Sequence, residues 1–485
     1  SKLYIIIYLI HILYLVNYMN KLINKLKIDT NNLSDIVYRY KDINNTKICI
    51  IYSDSLSASD KISDFIIESL DKIDLRYKKG INLYEVIKND IENFKVIELT
   101  TYQDMCYYIN SGFTIILFED NKILALETKK NLSRGITNPL TEKSYRGPMD
   151  CFIEEIQTNI GLIKRRIKDN NLWMKEYKLG TYTQTKTNLI YINNLVEKSF
   201  IDLIESKLKN IDIKGIVTVG NIKNLIQKEN GTILPTIMTT ERPDLVVTAL
   251  LKGKVVIMCD NDPFALILPT TLNDFFITTE DNFNKSINIS FTRIIRYLSF
   301  FISLLTPALY IAITTYNQEI IPTELMISIA SQRESVPFSA FVEAAIMIFA
   351  FEILRESDLK IPSFASSAIS IVGALVLGEA AVNAGIVSPI MIIVIAITAI
   401  SSLTFTEPEM INALRWYRLI FMIGSTILGL YGTVFVLILF IIRLSHINSF
   451  TEPYLVPFAP TNIQKLKNSI IKFPIKNKEV NNETN

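Results

Sequence analysis

IPSFASSAISIVGALVLGEAAVNAGIVSPIMIIVIAITAISSLTF, residues 361–405, carries one charge, at Glu379. A run this long and this bare crosses a hydrocarbon core of roughly 30 Å twice if it breaks near Gly385 and Pro389. The chain therefore reads as a membrane protein. Ser366, Ser370, Ala374 and Gly378 recur every four residues, which places small side chains in one row on a helix and lets a second backbone approach closely. Gly373 belongs with Gly378, Gly385 and Pro389 as a residue that shapes helix contacts and breaks. Glu379 and, one turn on, Asn383 follow the row, so their polar groups must face protein or water rather than lipid.

Outward from this stretch, Tyr297–Gln318 is uncharged and reads as one spanning helix, with Pro307 predicting a kink whose freed carbonyl a neighbouring helix satisfies. Ile320–Ile329, with Pro322 at a helix start, suits an interfacial or re-entrant segment. Phe338–Leu354 is apolar but holds Glu343 and Glu352. Nine residues at about 100° each place these carboxylates on opposite faces, so a straight helix cannot turn both toward one lumen. The uncharged run Leu419–Ile442 reads as a further single span. Lys465, Lys467, Lys472, Lys476 and Lys478 crowd the tail, and Lys285, Arg293 and Arg296 end the polar half. By the positive-inside rule both lie on the cytoplasmic side, which requires an even number of spans, about four.

The polar half alternates strand-like and helical patterns. KICIIY, an amphipathic segment through Leu70, KVIELT and GFTIILFEDNKILALET make a first α/β unit that ends in a hairpin around Glu119–Lys122. Residues 129–148 lose periodicity and read as a linker. A second α/β unit opens with Phe152, Ile156, Ile160, Ile163 and Ile167 at helical spacing. It closes with a short helix after Pro243, a strand, a turn at Asp260–Pro263 and a returning strand. GKVVIMCDNDPFALILPT beside GFTIILFEDNKILALET hints at a duplicated fold. Lys164, Arg165 and Arg166 form a basic cluster, either a solvated helix face or a seat for an anionic headgroup or another subunit. Asp244 reads as a first-turn acid that complements the helix dipole.

These readings divide the chain into an apolar extension (1–18), α/β units at 19–128 and 149–290 around the linker, a membrane domain (291–445) and a basic tail (446–485). The fold class is an α/β soluble N-terminal region followed by an all-α polytopic membrane domain. Residues 1–18 are a membrane anchor, a signal h-region or sequence upstream of a start at Met19. With 50 Lys and Arg against 48 Asp and Glu, nothing points to nucleic acid. Four scattered cysteines form no CxxC, and GxSxG, P-loop and GxGxxG are missing, so no cofactor, metal or enzymatic activity is expected.

RRIKDNNL, ERPDLVV, PALY, QEIIP, SQRESVPFSAFVEAAIMIFAFEILRE, IVGALVLGEAAVNAGIVSPIMIIVIAITAI and PYLVPFAP occur in this order. Together they resemble the A subunit of the GerA-type spore germinant receptors over about residues 120–460, and more loosely before. The resemblance implies a multi-pass protein of the inner spore membrane with its large N-terminal region and its tail cytoplasmic. It also implies work beside a transporter-like B subunit and a lipoprotein C subunit, contact with membrane lipid, and homo-oligomers that form a nutrient-gated cation channel. In that reading Glu343, Glu352, Glu379 and Asn383 are the candidate pore or intramembrane polar residues, with Pro307 among the helix-shaping ones. For Glu379 the competing role is an interhelical hydrogen bond or an ion pair with Arg333, Arg415 or Arg418; for Glu343 it is a carboxylate at the water interface. A secondary transporter, a non-conducting scaffold of the same receptor and a sporulation-specific paralogue are the alternative functions.

Overall fold

The computed structural model describes residues 19–43, 46–71, 83–90, 95–120, 122–130, 142, 147–227, 232–358 and 376–472. The extension 1–18, most of the expected linker, and Ser366, Ser370, Gly373 and Ala374 lie outside them. Residues up to Glu229 with Ile237–Pro269 form one compact unit, and Asn230–Thr236 with the chain from Thr270 onward form a second.

The first unit contains two five-stranded antiparallel sheets. Strands β1 (Ile36–Ile43), β2 (Thr46–Ser53), β3 (Val96–Leu99), β4 (Phe113–Phe118) and β5 (Ile123–Glu127) are ordered β1-β2-β4-β5-β3. Strands β6 (Leu172–Leu179), β7 (Thr185–Ile192), β8 (Met238–Thr240), β9 (Val255–Cys259) and β10 (Ala265–Leu268) are ordered β6-β7-β9-β10-β8. The second order is the first shifted by five. Helices fall in the same places: one before the first strand (19–29 and Ile156–Arg166) and one between the third and fourth (Tyr102–Ile109 and Pro243–Leu251). The likeness of the two hairpins thus extends to the whole α/β topology.

Both inner hairpins are covered on two faces, which is why they read as unbroken apolar runs. In β4, Ile115 and Leu117 face a core shared with the second sheet, while Ile116 and Phe118 face a separate core under the helices at Leu70 and Ile87. The shared core takes Ile190, Met258 and Ile267 from the second sheet and Ile23 and Leu26 from helix 19–29. Phe152 is buried but precedes its helix, which starts at Ile156. The reason is Asn159, whose amide accepts from Ile153 N–H at 2.8 Å and donates to Ile153 O at 2.5 Å, holding that residue extended.

The second unit is helical, and its apolar side chains are largely exposed: Phe291, Phe301, Phe349, Ile400 and Phe435 among them. Ser286–Thr315 is a single 30-residue helix with Pro307 inside. Thr323–Arg333 follows Pro322, then Ala340–Asp358, a helix at 376–383 and Pro389–Ser402. In Pro408–His446, Gly429 has φ 61° and ψ −136°, and there the chain turns back. Tyr417 and Phe440 stack edge-on with centroids 4.6 Å apart, whereas 23 residues of straight helix separate them by about 35 Å. The single span expected over Leu419–Ile442 is therefore a helical hairpin. Hydropathy is blind to the reversal because both arms are apolar.

Candidate functional site

The helical unit carries its polar groups in layers, and each can be traced to a local cause. At the hairpin apex, Tyr316 Oη donates to Thr426 O at 2.7 Å, and Asn317 Oδ1 accepts from Leu430 N–H at 3.2 Å. Asn317 thus supplies the acceptor that the break at Gly429 takes away. A Cβ on Gly429 would lie 2.8 Å from Tyr316 Cβ, so the left-handed turn and the close approach both require glycine.

Glu343 comes next and is completely buried. Its Oε2 accepts from Ser388 N–H at 2.9 Å and from Ser388 Oγ at 2.8 Å, and Arg333 Nε lies 3.3 Å from Oε1. Ser388 precedes Pro389, so the carboxylate sits at the start of helix Pro389–Ser402, where the helix dipole favours negative charge. Glu343 is spoken for inside one copy.

Pro307 lacks the N–H that would bond Ser303 O four residues back. Arg418 Nε donates to that oxygen at 2.8 Å. The neighbouring helix thereby supplies the missing donor, as the kink leads one to expect, through an arginine buried at 6% exposure. On the other face of Ala340–Asp358, Glu352 pairs with Arg415 at 2.8 Å and Arg355 at 3.2 Å. The opposite-face geometry of the two glutamates is seen in their separate partners.

At the base, Asp281 is buried and receives Arg293 Nε at 2.7 Å and Arg296 Nη1 at 2.9 Å. Arg293 also donates to Asn468 O and Ser469 O, closing the end of helix Ile463–Ile470. PYLVPFAP wraps the same region, with Tyr454 buried and its carbonyl accepting from Leu272 N–H at 2.9 Å.

Glu379 and Asn383 differ from the rest. Both are exposed, and they line a groove of about 870 Å³ between Ala340–Asp358, 376–383 and Pro389–Ser402. No hydrogen bond or ion pair joins Glu379 to another described residue: Arg333 and Arg415 go to the other two glutamates and Arg418 to Ser303. Gly378 is buried against Ile392, 3.7 Å from where its Cβ would stand, and Gly385 takes φ 65° at the reversal before Pro389. Sequence reading missed Ser388, Ser303, Asn317 and Gly429. Three glycines within nine residues, at 424, 429 and 432, were the available signal for the last.

No group of three or more His, Cys, Asp or Glu placed to hold a metal occurs among the described residues. The acids of the β9–β10 turn are used structurally: Asp260 accepts from Ile156 N–H, and Asp262 accepts from Val219 N–H at 2.6 Å and Phe264 N–H at 2.9 Å.

A duplicated antiparallel α/β region followed by a bundle of apolar helices with buried arginine–carboxylate pairs defines the class of molecule. The model of the Bacillus/Clostridium GerA spore germination proteins matches residues 24–484, and the chain belongs to that family. It is 37% identical to spore germination protein KA of Bacillus subtilis over 458 residues, covering 94% of this chain and 84% of the relative. It is 35% identical to spore germination protein B1 of the same organism, with 88% of each chain covered. A third relative, also from B. subtilis, is the uncharacterized membrane protein YfkQ, 34% identical over 92% of this chain and 87% of its own. Among solved structures, the N-terminal domain of the A subunit of the Bacillus megaterium spore germinant receptor GerK3 matches at 31% identity and a TM-score of 0.41, over 51% of this chain and 92% of that one.

Proposed function

We propose that this protein is the A subunit of a nutrient germinant receptor, that its helical unit crosses the spore inner membrane, and that several copies enclose a cation path opened by germinant. Glu379 and Asn383 carry the reading. They are exposed on apolar helices beside an open groove, while Glu343 and Glu352 are consumed by partners within the chain. A carboxylate left free in hydrocarbon is costly, so a water-filled path between copies is the setting that suits it.

Counting from the apex supports the membrane placement. Tyr316 stands level with Gly429, and Arg296 lies 20 residues back along the same helix, about 30 Å away, the thickness of a hydrocarbon core. The two hairpin arms then make two crossings, antiparallel to each other. Ala340–Asp358 runs back toward the base, since Glu343 meets Ser388 and Glu352 meets Arg415. With Ser286–Thr315, Ala340–Asp358, Pro389–Ser402 and the two hairpin arms, the described residues supply five candidate crossings against the about four expected, and the positive-inside rule, which keeps both tails cytoplasmic, asks for an even total. Transporter-like B and lipoprotein C subunits are the expected partners.

Germinant-triggered cation release from spores tests this. Glu379→Ala should abolish release while leaving the amount of protein in the membrane unchanged. Normal release from that strain, at normal protein level, would remove Glu379 from the path and leave the scaffold reading in its place.

A further inference from the structure

The basic triplet Lys164-Arg165-Arg166 separates three ways in the fold. Lys164 points inward and pairs with Asp35, and Arg166 makes a two-pronged bond to Asp150 at 2.7 and 2.6 Å. Arg165, a helical step from each, is exposed and lines a pocket of about 630 Å³ in the first unit. Four more cations line it: Lys168 just beyond the same helix, Lys95 ahead of β3, and Lys129 and Lys130 after β5. No Asp or Glu is among the described residues lining it. In a chain with 50 basic and 48 acidic residues, five cations and no carboxylate among the described lining residues is a local arrangement, not a consequence of composition.

Solvation of a helix end accounts for Arg165 and Lys168, because cations complement the dipole there. It does not account for Lys95, Lys129 and Lys130, which come from the other repeat. Lys129 and Lys130 have weak acidic partners among the described residues: Glu127 is 3.4 Å from Lys129 and Glu155 is 3.7 Å from Lys130, exposed pairs worth at most about 1 kcal/mol each. Aromatic faces hold two of the amines in place, Lys129 over Phe113 at 4.9 Å and Lys168 over Tyr107 at 5.2 Å. The backbone of Lys130 is fixed by its N–H to Leu56 O at 2.8 Å. The volume is that of a small-molecule site, about 300–1,000 Å³.

We infer that this pocket binds a small, multiply charged anion that bridges the two α/β repeats. Charge-assisted hydrogen bonds from Arg165 and Lys168 on one side and from the lysines on the other require at least two anionic groups on the ligand. Such a ligand stabilises the docked arrangement of the repeats by mass action.

Inorganic pyrophosphate and citrate, titrated in separate arms into the full-length protein in neutral detergent, test the inference by calorimetry and thermal unfolding. Acetate serves as the singly charged control. Saturable one-to-one binding of pyrophosphate or citrate, weakened about tenfold or more in Arg165→Gln/Lys168→Gln, is the expected result. The charge-matched variant Lys198→Gln/Lys214→Gln, whose lysines are exposed and do not line the pocket, should bind like wild type. Unfolding temperatures without ligand establish that both variants are folded; should the first fail this, Lys129→Gln takes its place. Absence of saturable binding by both probes, or equal weakening in the two double variants, overturns the inference.

Discussion

Lys164 and Asp35 show how much a single buried contact commits. Both are nearly inaccessible, and Asp35 also accepts from Ser53 Oγ at 2.5 Å and from Ser55 N–H at 2.9 Å. Burial pushes the Asp35 carboxyl up, but the adjacent Lys164 ammonium and the hydrogen bonds from Ser53 and Ser55 outweigh it and leave it lowered. Its contribution to stability is therefore complete above its ordinary value of 3.8 and is lost as pH falls below that, toward the folded value. Lys164→Met should cost about 3–5 kcal/mol by stranding the carboxylate. Adding Asp35→Asn should recover part of this and flatten the acid limb, since an amide still accepts from Ser55 N–H without carrying charge. Trp173, whose indole N–H donates to Asp29 O at 3.0 Å, reports the unfolding once Trp416 is replaced by Phe. Glu343 makes the matching case in the helical unit. Glu343→Ala should lower the amount of folded protein in the membrane, and Glu343→Gln less so, because glutamine keeps an acceptor for Ser388. Protein level measured by immunoblot separates this from the loss of ion release expected at Glu379.

Among the elements, the arginine that crosses to Ser303 O and the proline that frees it form one device. Arg418→Met leaves that carbonyl unpaired in a buried site, a loss of about 1–3 kcal/mol. Pro307→Ala restores an N–H within the helix, so it should stabilise the Arg418→Met chain more than it stabilises wild type, by about 1 kcal/mol in a double-mutant cycle followed by thermal unfolding in detergent. The hairpin is equally specific. A Cβ on Gly432 would overlap the Gly424 carbonyl oxygen, so Gly432→Ala should part the arms and lower the unfolding temperature more than Gly424→Ala, whose Cβ crowds a Val436 methyl at 2.6 Å but comes no nearer than 3.3 Å to backbone, at Gly432 O. Which elements could be foreseen follows the same physics. Inner strands covered on both faces announce themselves as apolar runs. The edge strands β1 and β6 do not, because Arg39 and Lys41, and Lys175, Glu176 and Lys178, interrupt them with the charges that discourage edge pairing. Hydropathy found the apolar arms of Leu419–Ile442 and missed that they reverse. The partners of Glu343 were illegible for another reason: Ser388 lies 45 residues away, and only the packed bundle brings it to the carboxylate.

For the whole molecule, a duplicated α/β region and an apolar bundle place two kinds of polar group at different risk. Groups satisfied within one copy, such as Glu343, Glu352, Arg418 and Asp281, hold the bundle together, whereas Glu379 and Asn383 are exposed and, in the proposed function, face a neighbouring copy or water. Reversal potential in planar bilayers, recorded from the purified receptor with its partner subunits across a potassium chloride gradient, tests that division most directly. Wild type should conduct on germinant addition and reverse near the potassium equilibrium potential, and Glu379→Gln should shift the reversal toward zero. A silent assembly, or a reversal potential that Glu379→Gln does not move, would contradict the account.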